Sequence, residues 1–336
     1  MSGIVLEADP ESLRDPESFR AGVMERCEPR ILREAARDWP LLAGSDVRQL
    51  IDRLRRYDAG RSAEVFVGRP EIAARYHYDE SLAGFNFERI EMPLGEALTR
   101  IMETQPGPDS ASLYTGSLSA ETYLPGIEQL TRLPFVPVSV RPRFWIGHAS
   151  SIACHYDVFD NVACVAAGRR RFTLFPPDAI GDLYVGPIDR TMAGQPVALA
   201  VGSDRDDPVY PRFERARGRA LVAELGPGDA LYVPKLWWHQ VEATERINLL
   251  VNFWWDGFAS GPDQPYAAML LAMIAIAERP PAERAAWRAW FDHYVFRPDG
   301  HPLAFLPPEQ HGVLGNLAEG NYGRIRTTLM RMLRSN

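Results

Sequence analysis

The sequence predicts a mainly β fold with flanking helices, and three observations predict it. Between about Leu113 and Trp255 the chain is a run of short β-branched and aromatic segments cut by Gly, Pro and Asp, the texture of antiparallel sheet. Before about residue 105, and again after Pro262, apolar residues recur at helical spacing. No internal repeat or low-complexity tract competes with that division. The expected domains are a helical or mixed N-terminal region over 1–110, a β core over 111–258 and a helical region over 259–336.

The elements follow in order. Ser45 or Asp46 caps a helix whose apolar face is Val47, Leu50, Ile51 and Leu54, and a second helix starts after Pro93. The clearest strands lie near 143–147, 152–158, 162–166, 170–175, 220–225, 230–233 and 247–254. The stretch 186–216 is rich in Pro, Gly and Asp and lacks periodicity, so it reads as a long insertion over the sheet, of the length that often serves as a lid. Beyond Pro262, the segments Tyr266–Arg279, Glu283–Phe296 and a last one around Ile325, Leu329 and Leu333 each show one apolar face. The first two carry more apolar surface than a lid needs, which predicts a homodimer built there.

Composition narrows the function classes. At 336 residues, with 46% apolar and 24% charged residues, the chain has the makeup of an ordinary globular protein and can bury a core. Its formal charge is -7 and its cations are scattered apart from Arg169–Arg171, so no nucleic-acid partner is expected. Of the 37 Lys and Arg residues, only Lys235 is a lysine. Three cysteines without CxxC spacing suggest neither a disulfide framework nor a zinc knuckle. The N-terminus is acidic and unlike a signal peptide, and the apolar stretch Tyr266–Ala277 is too short to span a bilayer, so a cytoplasmic protein without membrane attachment is expected.

The candidate chemistry rests on three residues. His155 and Asp157 are two apart in a strand-like segment, so in extended chain both side chains reach the same face and Tyr156 the other. His239 lies far downstream, after a Gly228-Asp229 turn and a strand ended by Pro234, and reaches the pair only if the fold brings two strands together. Two imidazoles and one carboxylate leave three positions of an octahedral Fe(II) open, whereas zinc more often takes a closed tetrahedron. His77-Tyr78-Asp79 repeats the His-X-Asp spacing, but its charged neighbours Arg75 and Glu80 mark it as a surface turn.

The segments Trp145-Ile-Gly147, His155-Tyr-Asp157, Asn161, Gly168 to Pro177, Gly228 to Pro234, Trp237-Trp-His239 and Val251 to Trp254 resemble the bacterial cupin-like (cupin 8) members of the jumonji-C oxygenase superfamily. They are also similar to the asparaginyl hydroxylase that inhibits the hypoxia-inducible factor. The matched order covers roughly residues 110–256. The resemblance implies a double-stranded β-helix, a jelly-roll or cupin barrel, with Fe(II) on His155, Asp157 and His239, and with 2-oxoglutarate and O₂ as co-substrates. It implies Arg170, where the hydroxylase has lysine, and Tyr114 on the distal carboxylate of 2-oxoglutarate, with Asn161 and Asn252 near its metal-bound end. A family threonine three residues before the first ligand is Ile152 here. The implied activity is oxygenation, by default hydroxylation, of a protein or peptide side chain or a small metabolite.

Strand alternation independently puts Arg170 on one face with Phe172 and Leu174, and Arg169 and Arg171 on the other. Blander readings stand beside these. The histidines could be satisfied core residues, Arg170 a solvated strand charge, Asn161 and Asn252 bridges between strands, and the tryptophans at 237, 238, 254 and 255 barrel packing. A non-catalytic metal- or ligand-binding cupin lacks the need for an Arg170–Tyr114 pair. An oxygen-independent cupin isomerase usually carries more metal-site histidines or a Glu, and only His148 is at hand.

Overall fold

The computed structural model describes residues 3–334 except 45, 108, 190–194, 260 and 262. Eight strands form its centre, here numbered β1 (Pro142–Gly147), β2 (Ser150–His155), β3 (Asp160–Ala167), β4 (Arg170–Phe175), β5 (Leu221–Leu225), β6 (Ala230–Val233), β7 (Trp238–Ala243) and β8 (Asn248–Trp255). They pair antiparallel in two sheets, ordered β6-β3-β8-β1 and β5-β4-β7-β2. Every connection except β4 to β5 therefore crosses from one sheet to the other, which is the wiring of a jelly roll. The mainly β, double-stranded β-helix architecture is thus the observed one. Phe172, Leu174 and Val241 of one sheet meet Val165, Leu231 and Leu250 of the other. Each such side chain, fully buried, contributes roughly 1.5–3 kcal/mol.

The structure adds strands where helical pieces are the expectation, before about residue 105, and one at the start of the expected β region, Ser112–Ser119. Ser62–Gly68, Glu88–Pro93 and Ser112–Ser119 extend one sheet beyond β1, and Arg30–Leu32 lies beside β6. Gly3–Ile4 and Arg75–Tyr76 run parallel to β5 and β2. All are added outside the eight central strands, and the two-residue strands Gly3–Ile4 and Arg75–Tyr76 are too short to show a period. The expected helices are also present: Val47–Arg56, with the Asp46 carboxylate accepting from the Arg48 N–H at 2.9 Å, and Leu94–Glu103. Ser45 lies outside the described residues. Leu50, Ile51, Leu54, Leu98 and Ile101 close over the outer face of the larger sheet.

The 186–216 insertion, of which 190–194 lie outside the described residues, is packed rather than free-standing. Ala198, Ala200, Phe213 and Ala216 cover Cys154, Phe175 and Trp238, and the Ala198 N–H donates to the Cys154 carbonyl at 2.8 Å. Cys154 points away from the face that carries its neighbour His155, so this part of the insertion backs the sheet.

By packing, the chain divides into two compact units, Met1–Gly257 and Phe258–Asn336. The second holds the helices Pro265–Ile276, Pro281–Phe291 and Asn321–Arg334. The first of these, PYAAMLLAMIAI, is apolar around its whole circumference rather than on one face. None of the unit's described residues is buried. Among the described residues no helix is long and apolar enough to cross a membrane.

Candidate metal centre

Antiparallel pairing of β2 with β7 sets His155 directly opposite His239. Their rings lie 4.5 Å apart, centroid to centroid. The strand that carries His239 is missing from the expected set, although Val241 and Ala243 already alternate with polar Gln240 and Glu242. An irregularity between His239 and Val241 breaks the ladder at that point, and such irregularities re-aim side chains beside functional sites. Asp157 stands just past the end of β2, at the corner where the chain crosses between sheets, not in a strand. The Leu236 N–H holds that corner by donating to the Asp157 carbonyl at 2.8 Å.

One donor atom from each of His155, Asp157 and His239 lies within 4.8 Å of the others. The Nδ1 atoms of His155 and His239 approach the carbonyls of Ala153 and Trp237 at 2.8 and 2.9 Å. A carbonyl only accepts, so both Nδ1 atoms carry the proton and both Nε2 lone pairs remain available to a metal. Burial, reinforced by His155, pushes the His239 pKa down to about 4, against the pull of Asp157 and the Trp237 carbonyl. His239 is therefore neutral near pH 7, the form that ligates.

The same pocket contains Arg170, Tyr114, Asn161 and Asn252. Arg170 opens β4 after a turn at Gly168, whose φ of +74° glycine adopts without strain. It is 3% exposed and its face-mates Phe172 and Leu174 are 2% and 0% exposed, whereas Arg171 reaches solvent. Arg170 is thus not a solvated strand charge. Its Nε has no hydrogen-bond partner, and among the described residues no acid pairs with it. Burial holds its pKa below the usual arginine value, offset in part by Tyr114. Tyr114 comes from Ser112–Ser119, and burial raises its pKa against the pull of Arg170.

Asn161 and Asn252 sit on the neighbouring strands β3 and β8, and each keeps a buried Oδ1 without a partner. The Asn161 Nδ2 also reaches Asp157 Oδ2 at 3.5 Å. Ile152, where a threonine is the family residue, contributes an apolar wall. These residues fit a bound metal with an anionic ligand: an open three-donor set shares one pocket with a buried cation that no described acid pairs with, while the two amide oxygens, which only accept, fit a donor such as metal-bound water.

Other candidates resolve differently. His148 is a structural residue: its Nδ1 accepts the Leu113 N–H at 3.0 Å and its Nε2 meets the Ile101 carbonyl at 2.8 Å. At His77-Tyr78-Asp79 the aspartate caps a local turn, accepting from Ser81, and among the described residues no metal-competent group forms there. Trp238 packs edge-on against Tyr156 and the Trp237 indole N–H donates to the Cys27 carbonyl at 2.9 Å. Trp254, in contrast, lines the pocket with Trp145 and Phe66. Phe66 lies in a region expected to be helical, although the run Val65-Phe66-Val67 is itself a strand signal.

The chain matches the cupin-like domain over residues 16–261. It is 34% identical over 114 residues to the lysine-specific demethylase JMJ31 of Arabidopsis thaliana, covering 34% of this chain and 20% of that protein. It is 24% identical over 251 residues to the Jumonji C domain-containing protein 5 of Drosophila melanogaster, covering 71% and 57%. With the human HSPB1-associated protein 1 it shares 28% over 148 residues, covering 42% and 29%. The chain thus spans between a fifth and just over half of the length of these relatives. With that match across most of the sequence and a jelly roll around the His155–Asp157–His239 set, the chain belongs to the cupin-like domain family.

Proposed function

We propose that this protein is an Fe(II)- and 2-oxoglutarate-dependent oxygenase that hydroxylates a protein or peptide side chain or a small metabolite. The observation that carries the reading is Arg170, a buried guanidinium without an acidic partner among the described residues, in the pocket of an open metal-donor set. An unpaired buried charge is costly, so its retention fits a site completed by a bound carboxylate. A cupin that binds metal without a carboxylate ligand has no use for it.

In this reading His155 and His239 would hold the metal through Nε2 and Asp157 through one carboxylate oxygen. Arg170 grips the distal carboxylate of the co-substrate, bidentate geometry being natural to a guanidinium, and the Tyr114 hydroxyl donates to the same group. Asn161 orients Asp157 and, with Asn252, the metal-bound end. Phe66, Trp145, Ile152 and Trp254 exclude idle water. The bound metal and co-substrate supply oxidative decarboxylation to succinate and CO₂, coupled to transfer of one oxygen atom of O₂ into a substrate C–H bond.

The relatives named above include a demethylase, which favours a protein substrate here. Because the second unit buries none of its described residues, we also propose a homodimer through Pro265–Ile276, Pro281–Phe291 and the turn Asp292–Phe296 that continues it, with Ile274, Trp290 and Phe296 at 79%, 60% and 70% exposure as its apolar anchors.

The test is succinate formation by iron-loaded protein given 2-oxoglutarate and O₂, beside His155→Ala. Turnover in the parent and its loss by about 10³-fold in the variant are expected, a catalytic-group effect of roughly 4 kcal/mol. No turnover together with no 2-oxoglutarate binding by calorimetry sinks the oxygenase reading in favour of the non-catalytic cupin.

A further inference from the structure

We propose that Lys235 is a positioning residue for the metal donor set, fixing Asp157 against His239 through the carboxylates Asp160 and Asp256. The proposal rests on the metal-binding reading of His155, Asp157 and His239. In a chain that uses arginine at every other cationic position, lysine stands only at 235, in the loop that delivers His239 to β7. Its Nζ lies 3.4 Å from Asp160 and also pairs with Asp256. Asp160 opens β3 three residues after Asp157, and Asp256 follows directly on β8. A compact ammonium can sit between two carboxylates as a point charge. A longer, planar guanidinium imposes its own fork geometry.

Asp160 is itself 1% exposed, and its carboxylate accepts from the Tyr232 hydroxyl at 2.9 Å and the Gly257 N–H at 3.2 Å. Tyr232 belongs to β6, so both ends of the β6–β7 loop are tied to the corner that carries Asp157. The residue after Lys235 completes the tie. Leu236 has φ +68°, a left-handed conformation that leucine keeps only where its surroundings enforce it, and in it the Leu236 N–H donates to the Asp157 carbonyl. The clamp touches none of the three donor side chains. It sets where the backbone of one donor lies relative to the loop leading to another, and supporting residues of this kind typically change metal affinity by about 10- to 100-fold.

The probe is Co(II), titrated into the metal-free full chain and followed by its visible d–d absorption, beside His155→Ala as the control for site occupancy. Lys235→Met and Lys235→Arg are both expected to bind Co(II) roughly 10- to 100-fold more weakly with altered d–d bands, and Asp256→Asn to show a smaller change in the same direction. Metal-free thermal unfolding, run in parallel, reports whether each variant folds. Should Lys235→Met not fold, Lys235→Arg and Asp256→Asn carry the test. Co(II) affinity and spectrum equal to the parent's in the folded variants overturn the proposal, even if their melting temperatures fall. A parent that binds no Co(II), or binds it equally well after His155→Ala, removes the metal reading and the positioning role together.

Discussion

The barrel unit and the C-terminal unit put similar side chains to opposite uses. In Met1–Gly257, Phe172, Leu174 and Leu231 face inward between two sheets and are buried. In Phe258–Asn336, Trp290, Phe296 and Phe305 are 60%, 70% and 79% exposed, and no described residue is buried. A sheet closed on itself supplies its own second layer, whereas short helices without a shared interior must find theirs elsewhere. The barrel can therefore hold a costly polar site within a self-made core, while the described residues of the C-terminal unit leave their apolar side chains at least partly exposed.

The largest effect should come from the exposed apolar anchors. Ile274→Glu with Trp290→Glu is expected to weaken self-association by about 2 kcal/mol or more per residue, read by sedimentation, while metal-free unfolding of the barrel stays where it was. A parent monomeric at tens of micromolar, or a barrel that melts earlier when association is lost, breaks the contrast.

Next is the cost of the buried cation. Arg170→Met should lower 2-oxoglutarate affinity by about 2–4 kcal/mol, roughly 30- to 1,000-fold, and stabilise the ligand-free barrel by about 1–3 kcal/mol. Calorimetry and urea unfolding read the two halves. Unchanged ligand affinity would detach Arg170 from the site, and a less stable barrel would mean that the guanidinium is satisfied within the fold.

The smallest effect concerns pH. Burial, with Arg246 nearby, holds the His148 pKa below the ordinary value against the Ile101 carbonyl. The unfolded chain then takes up a proton that the folded chain refuses, so the contribution is complete above about pH 6.5 and is lost as pH falls below it. Urea midpoints should drop between pH 7.5 and 5.5, and less steeply in His148→Gln. An identical slope in the variant assigns the drop to other groups.

The sequence by itself determined the β core with helices at both ends, the alternation that buries Arg170 beside Phe172, and the residue types of the donor set, because period-two burial and ligand chemistry are local properties. Tertiary structure alone decided the rest. Only the pairing of β2 with β7 brings His239 opposite His155 across more than eighty residues of chain, and only the corner after β2 makes Asp157 a turn residue rather than a strand residue. The run Val65-Phe66-Val67 is legible as a strand, but only its pairing with Ser112–Ser119 brings Phe66 and Tyr114 to one pocket. The helix Pro265–Ile276 proved apolar all round rather than on one face, and how much of that surface the chain itself covers is a property of packing that no sequence pattern encodes.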